Sequence, residues 1–286
     1  MLEEIRALGF EFAELSHGVR MGLVPGLLDA VDGGLIRIST LHNFCPLPLG
    51  VEHAAPNIYQ FSSEDPRERE YALKHTLRTF DFAVRVKAML VVLHLGSIPL
   101  KDPTDRLLEL VQQGKKDTPY YQGFCDDVCL RRENKKEQAM ERSYELLTRL
   151  VSEAETRGLK LGVENRESVV EIPFETDLGL LFKQFRSPTV CYWHDTGHAQ
   201  IKENIGFIQH AMHVELFADR LAGYHVHDVA FPGKDHRAPG QGTVDFAALK
   251  PWVRPEHIKV FELSPSLTTE EAQRGIALIK SIWGAE

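Results

Sequence analysis

Cysteine is sparse in this chain, with four in 286 residues. Cys45, Cys125, Cys129 and Cys191 are irregularly spaced, and the Cys125/Cys129 pair has no second pair with which to build a zinc ribbon. That usage predicts a reduced, cytoplasmic protein rather than a disulfide-stapled one. No apolar run approaches the roughly 20 residues of a membrane-spanning helix. The opening Met-Leu-Glu-Glu-Ile-Arg is charged and helical in character, unlike a secretory leader. Basic residues do not predominate: the formal net charge is −8, which argues against a broad grip on phosphate backbones. The one basic cluster, Lys115, Lys116, Arg131, Arg132, Lys135 and Lys136, is interleaved with acidic residues and reads as a solvated helix face. There is no Pro/Gly/Ser linker and no low-complexity block. Gly240 and Gly242 fit neither GxGxxG nor Gly-Lys-Ser/Thr, so a phosphate-binding fingerprint is absent too.

What is present is apolar material for a sizeable core, 43% of residues, and a regular alternation of strand and helix signals. The length would allow two small domains, but α/β barrels reach it as one, and residues 1–286 are expected to form a single domain. Short apolar runs predict strands at Phe10–Ser16, Leu35–Leu41, Met89–Leu95, Leu159–Asn165, Thr189–Asp195, Leu221–Val226 and Ile258–Leu263. Helical spacing recurs at Leu2–Leu8, at Leu73, Leu77, Phe80 and Val84 after Asp65-Pro66, over 139–154 before Gly158, and after Ser266. The βαβα order implies a parallel sheet covered by helices, a (β/α)8 TIM-type barrel. Seven strands are counted, one short of eight, with the first the one not found: the barrel is open there, closes with seven strands, or starts upstream. An unpaired edge there would favour association, so a homo-oligomer is a reasonable expectation. The segments 42–64 and 97–135 are long connections, either substrate-shaping loops or helical excursions on the rim.

Metal-type side chains close these strands: His42, His94, Glu164, Asp195, then His198, His225, His236 and Glu262. At the carboxyl ends of barrel strands such residues converge, and imidazoles with carboxylates make a donor set for a divalent cation. Strand parity separates them further. Trp193 and Asp195 share a face while His194 points to the other, and His225 and His227 share a parity, with His225 the preferred ligand. Asp195 and Glu262, like Glu164, are rarely placed at the ends of apolar strands unless paired or metal-bound. Arg166 is the one obvious cationic partner. His53, His75, His210, His213 and His257 lie in loop or helical contexts, where a structural role is expected. His17 has no corroborating motif.

With these residues in view, the chain resembles the xylose isomerase-like TIM barrels, also called the AP endonuclease family 2 fold. The resemblance runs from Leu-Gly-Phe-Glu-Phe-Ala-Glu-Leu-Ser to Val-Phe-Glu-Leu-Ser and is carried by Gly-Val-Glu-Asn-Arg, His-Asp-Thr-Gly-His-Ala, His-Val-His-Asp and His-Arg-Ala-Pro-Gly-Gln-Gly-Thr-Val-Asp-Phe. That superfamily includes ketose 3-epimerases, sugar isomerases, inositol-pathway dehydratases, C-glycoside-cleaving enzymes and endonuclease IV. The resemblance to the epimerases implies a metal (Mn, Zn, Co or Mg) held by Glu164, Asp195, His225 and Glu262. It further implies that the two glutamates act as acid and base and that His198 touches a substrate oxygen. The epimerases carry an Arg six residues beyond the metal His; this chain has Phe231, so their substrate clamp and any particular sugar do not carry over. Similarity to endonuclease IV implies ligand positions at His42, His94, Glu164, Asp195, His198, His225, His236 and Glu262. Its remaining Asp is replaced by Lys234, with Asp235 one step along. The expectation is therefore a metal-dependent isomerase or epimerase of a small sugar, sugar phosphate or polyol. His42, His94, His198 and His236 would contact substrate or an additional metal, and neither membrane nor nucleic acid is expected as a partner. A lyase or dehydratase on the same chemistry, a multi-zinc phosphodiesterase and a non-catalytic sugar-binding barrel are the alternatives.

Overall fold

The computed structural model describes residues 1–284. Packing divides the chain into two compact units, Met1–Ser97 with Gln138–Glu164 and Phe185–Cys191, and Ile98–Glu137 with Asn165–Gln184 and Tyr192–Glu286.

In the first unit, α1 (Leu2–Ala7), β1 (Phe12–Leu15), α2 (Val24–Asp32), β2 (Arg37–His42), α3 (Pro66–Arg85) and β3 (Leu90–Leu93) alternate. They lead, through the later half of the 38-residue α5 (Pro119–Thr156), to β4 (Lys160–Glu164). The four strands pair in parallel and in order, with Thr40 opposite Leu90 and Leu90 opposite Lys160. Every residue of β3 is buried, as a strand covered on both faces must be. Asp65 starts α3 by accepting a hydrogen bond from the Arg67 amide, with Pro66 in the first turn, where its missing N–H costs nothing.

The second unit holds α4 (Thr104–Gln112), the start of α5, α6 (Glu175–Gln184), α7 (Thr196–Asn204), α8 (His210–Phe217), β6 (Leu221–Val226), α9 (Phe246–Leu249), β9 (Ile258–Phe261) and α10 (Thr269–Trp283). Strand β5 (Val190–Asp195) runs on into it and pairs in parallel with β6, which pairs with β9. The seven parallel strands follow the order β1-β2-β3-β4-β5-β6-β9, and all seven fall on the apolar runs that predict them. Thr268 and Glu271 close a reciprocal capping box at the start of α10. No helix of the described residues is long and apolar enough to cross a membrane.

Most of 97–135 is helical, the second of the two alternatives expected for it. Three features depart from the sequence pattern. Helix α5 begins well before the expected 139. The segment after β6 contains an antiparallel pair, β7 (Asp228–Ala230) and β8 (Lys234–Arg237). The basic cluster on α5 is not wholly a solvated face. Arg132 is 2% exposed, its guanidinium 2.6 Å from the Asp177 carboxylate, which Lys136 also contacts at 2.9 Å.

Candidate functional site

In the first unit, three strand ends bring buried donors together. His42 closes β2, His94 follows β3 and Glu164 closes β4, and one ligand atom from each lies within 4.8 Å of the others. His94 Nε2 is 2.5 Å from Glu164 Oε2, and His42 Nε2 is 3.7 Å from the same oxygen. His42 Nδ1 is 3.0 Å from the Asn43 carbonyl, to which it must donate. A neutral His42 therefore turns its Nε2 lone pair toward a carboxylate. Two acceptors converging in a buried site fit a cation between them. The His17 ring stands edge-on against His42, with centroids 5.0 Å apart.

In the second unit the centre is Asp195, the last residue of β5 and fully buried. One carboxylate oxygen caps α7 by accepting from the His198 amide at 2.7 Å, so the strand-to-helix turn itself fixes the side chain. His225, inside β6, places Nδ1 3.7 Å from Asp195 and 3.0 Å from the Glu262 carboxylate just beyond β9. Asp195, His225 and Glu262 each offer a donor atom within 4.8 Å of the other two. Two carboxylates flanking an imidazole nitrogen suit a divalent metal. The Trp193 ring stands edge-on to His225 at 5.2 Å and supplies an apolar wall.

His227 shares the parity of His225 but has another task. Its Nδ1 accepts the His236 amide proton at 3.0 Å, so Nε2 carries the hydrogen that it directs at Asp195, also 3.0 Å away. Burial alone would lower its pKa. The carboxylate of Asp195, with Glu262 and Asp235, pulls it upward, while the His236 amide aimed at Nδ1 opposes a second proton there. Room for this ring depends on Gly197, where a Cβ would lie 2.0 Å from His227 Cε1. His236 stacks on His227 with centroids 4.3 Å apart and holds the left-handed backbone conformation, φ 51°. Its Nδ1 donates to the Glu262 carbonyl at 3.0 Å, which ties β8 to the end of β9. His198 Nδ1 is 3.0 Å from the Asn165 carbonyl, and Arg166, paired with Glu171 at 3.1 Å, approaches the same ring. A further group, Glu167, His198 and Asp235, also offers donors within 4.8 Å. Burial raises the Glu167 pKa, and the neighbouring Asp235 and Glu171 raise it further.

The Gly-Gln-Gly loop serves the fold rather than a ligand. Buried Asp228 accepts the amides of Gly240 at 2.9 Å and Gly242 at 2.8 Å on one oxygen, and those of Val229 and Val244 on the other. A Cβ at 242 would lie 2.2 Å from the Val229 carbonyl oxygen. Strand parity places His194 correctly, away from Asp195: its ring meets His210 and Tyr192. Asn165, Tyr192, His210 and His213 form a hydrogen-bonded group beside Asp195 and His194 that the strand-end pattern does not mark. The last two sit on a helix that no strand-end motif marks.

The family model described as xylose isomerase-like TIM barrel matches residues 2–281. The chain belongs to this family. No curated protein matches it. Among solved structures, it is similar to a D-tagatose 3-epimerase-like protein, at 18% identity and TM-score 0.69, covering 98% of this chain and 91% of the other. A D-psicose 3-epimerase from Clostridium cellulolyticum H10, solved with D-tagatose, matches at 15% identity and TM-score 0.66 over 99% and 93% of the two chains. An IOLI protein with a binding zinc atom matches at 16% and 0.66 over the same shares. At these identities the likeness establishes the xylose isomerase-like barrel fold.

Proposed function

We propose that this protein is a metal-dependent sugar isomerase or epimerase, acting through its whole length as one barrel domain. The observation that carries the reading is His225 between the Asp195 and Glu262 carboxylates, with Nδ1 3.7 and 3.0 Å away. Glu164, which closes β4, is added to that set by the resemblance to the epimerases. The four residues are those that a resemblance to the epimerases assigns to one divalent cation, and the solved structures most like this chain include proteins titled as 3-epimerases and one titled as binding zinc. A divalent cation bound there supplies a Lewis acid for the substrate carbonyl.

The chain's own residues do the rest. One of Glu164 and Glu262 removes the proton α to the carbonyl, and the other returns a proton on the opposite face, inverting the carbon. Their placement at strand ends keeps both carboxylates on rigid elements. Asp195 stays a ligand because His227 and the α7 amide each donate to it. His198, with its Nδ1 proton given to Asn165, keeps Nε2 as an acceptor for a sugar hydroxyl.

A second reading is a multi-zinc hydrolase, favoured by the buried His42, His94 and Glu164 group in the first unit. Metal analysis separates the two. One Mn, Co, Mg or Zn per chain supports the epimerase, and two or three zincs support phosphodiester cleavage. Protein that takes up no metal after add-back refutes both.

A further inference from the structure

Behind β5, on the side away from the carboxylates, lies a buried hydrogen-bond network that the proposed chemistry does not use. Its hub is Asn165. The Asn165 Oδ1 accepts the Asp195 amide proton at 2.7 Å, and its Nδ2 donates to the Asp195 carbonyl at 3.0 Å. A backbone N–H can only donate and a carbonyl can only accept, so this clamp settles which way the side-chain amide points. The consequence passes outward. Tyr192 lies 3.1 Å from Asn165 Oδ1 and must donate to it. With its single proton so used, the phenol oxygen accepts from His194 Nδ1 and from His213 Nε2, both 2.7 Å away. His194 Nε2 lies 2.8 Å from His210 Nε2. At the far end His210 Nδ1 donates to Gln200 Oε1 at 3.3 Å, because the Gln200 amide nitrogen is given to Glu203 and Asn204. The Tyr192 hydroxyl and the Asn165 amide are thus aligned in series toward the peptide of Asp195, and hydrogen bonds in series strengthen one another.

We propose that Asn165 and Tyr192 are positioning residues for the metal ligand Asp195. The strand end that carries Asp195 is thereby gripped on its backbone from behind, while His227 and the α7 amide hold its carboxylate from in front. Outer partners of this kind tune metal affinity without touching metal or substrate. The inference rests on the reading of Asp195 as a ligand.

Calorimetric titration of chelator-stripped protein with Mn2+ tests it, alongside thermal melts of the same metal-free samples. Tyr192→Phe keeps the ring's packing and removes only the hydroxyl; Asn165→Ala removes the clamp. Roughly 10- to 100-fold weaker Mn2+ binding is expected in both, with the larger loss in Asn165→Ala. In Tyr192→Phe at saturating Mn2+, KM for the sugar should stay unchanged. Affinities within twofold of wild type in folded Tyr192→Phe protein overturn the inference while leaving the proposed function standing. A wild type that binds no Mn2+ or other divalent cation overturns both.

Discussion

Glu164 and Glu262, the proposed acid and base, sit in different surroundings. Glu164 is 1% exposed against His94, whereas the Glu262 side chain is one-third exposed beside His225. Replacing either by Gln keeps the shape and removes the base. Glu164→Gln and Glu262→Gln should each lower kcat by at least about 10²-fold with melting temperature nearly unchanged, as steady-state kinetics and circular dichroism would read. Near-normal turnover in both would end the acid/base assignment. Gly197 gives a second test, because a methyl there collides with the His227 ring. Gly197→Ala should cost about 1–3 kcal/mol in denaturant unfolding and weaken cation binding as His227 is pushed off Asp195. These residues were legible in the sequence because strand-end position and parity are local properties. Parity puts His225 and His227 on one face and does not separate them; the contact of His227 with Asp195 is what distinguishes it. What parity could not give was the reach of His210 and His213, which contact β5 from a helix 15 or more residues on. Such contacts are set by how a helix packs, which leaves no period in the strand.

At the level of elements, the strand pattern was readable because continuous apolar runs of four to seven residues suit a strand buried on both faces. The β7–β8 hairpin was not, since Lys234-Asp-His-Arg is polar throughout and carries no alternation. What shapes that region is Asp228, whose carboxylate gathers four amides from Val229, Gly240, Gly242 and Val244. Asp228→Asn swaps one of the two acceptors for a donor that faces N–H groups. It should destabilise the protein by at least about 2 kcal/mol and shift the position of His236, measured by urea unfolding and by sugar KM. A variant as stable as wild type would show that the loop folds without this hub. The extension of α5 back to Pro119 was missed for a different reason. Its early turns bury polar residues such as Arg132 through ion pairs, which a hydrophobic pattern does not register.

For the molecule as a whole, the buried imidazoles make stability depend on pH in a fixed direction. His210 and His213 have an ordinary pKa of 6.5, lowered by burial to about 4 and about 3 in the folded state. The unfolded chain therefore binds protons that the folded chain refuses, and the stability they contribute is intact above about 6.5 and lost as pH falls from there through 4 toward 3. Urea melts in the presence of chelator at pH 8, 6.5, 5 and 4 should show a level plateau and then a fall. Tyr192→Phe, which removes one partner of His213, should alter the steepness of that fall. Constant stability down to pH 4 would mean that these rings are protonated in the fold. The net charge of −8 belongs to this scale as well. It suits a neutral sugar better than a polyanion, because a nucleic acid would need a basic surface.

The central claim is proton abstraction next to a carbonyl by a strand-end carboxylate. The most direct test is incubation of a panel of free and phosphorylated ketoses with Mn2+-loaded protein in D2O, followed by NMR. One ketose should take up deuterium at the carbon beside its carbonyl and yield the inverted epimer, with both signals lost in EDTA and the epimer lost in Glu262→Gln. Metal-loaded, folded protein that exchanges no carbon-bound proton in any ketose would contradict the account.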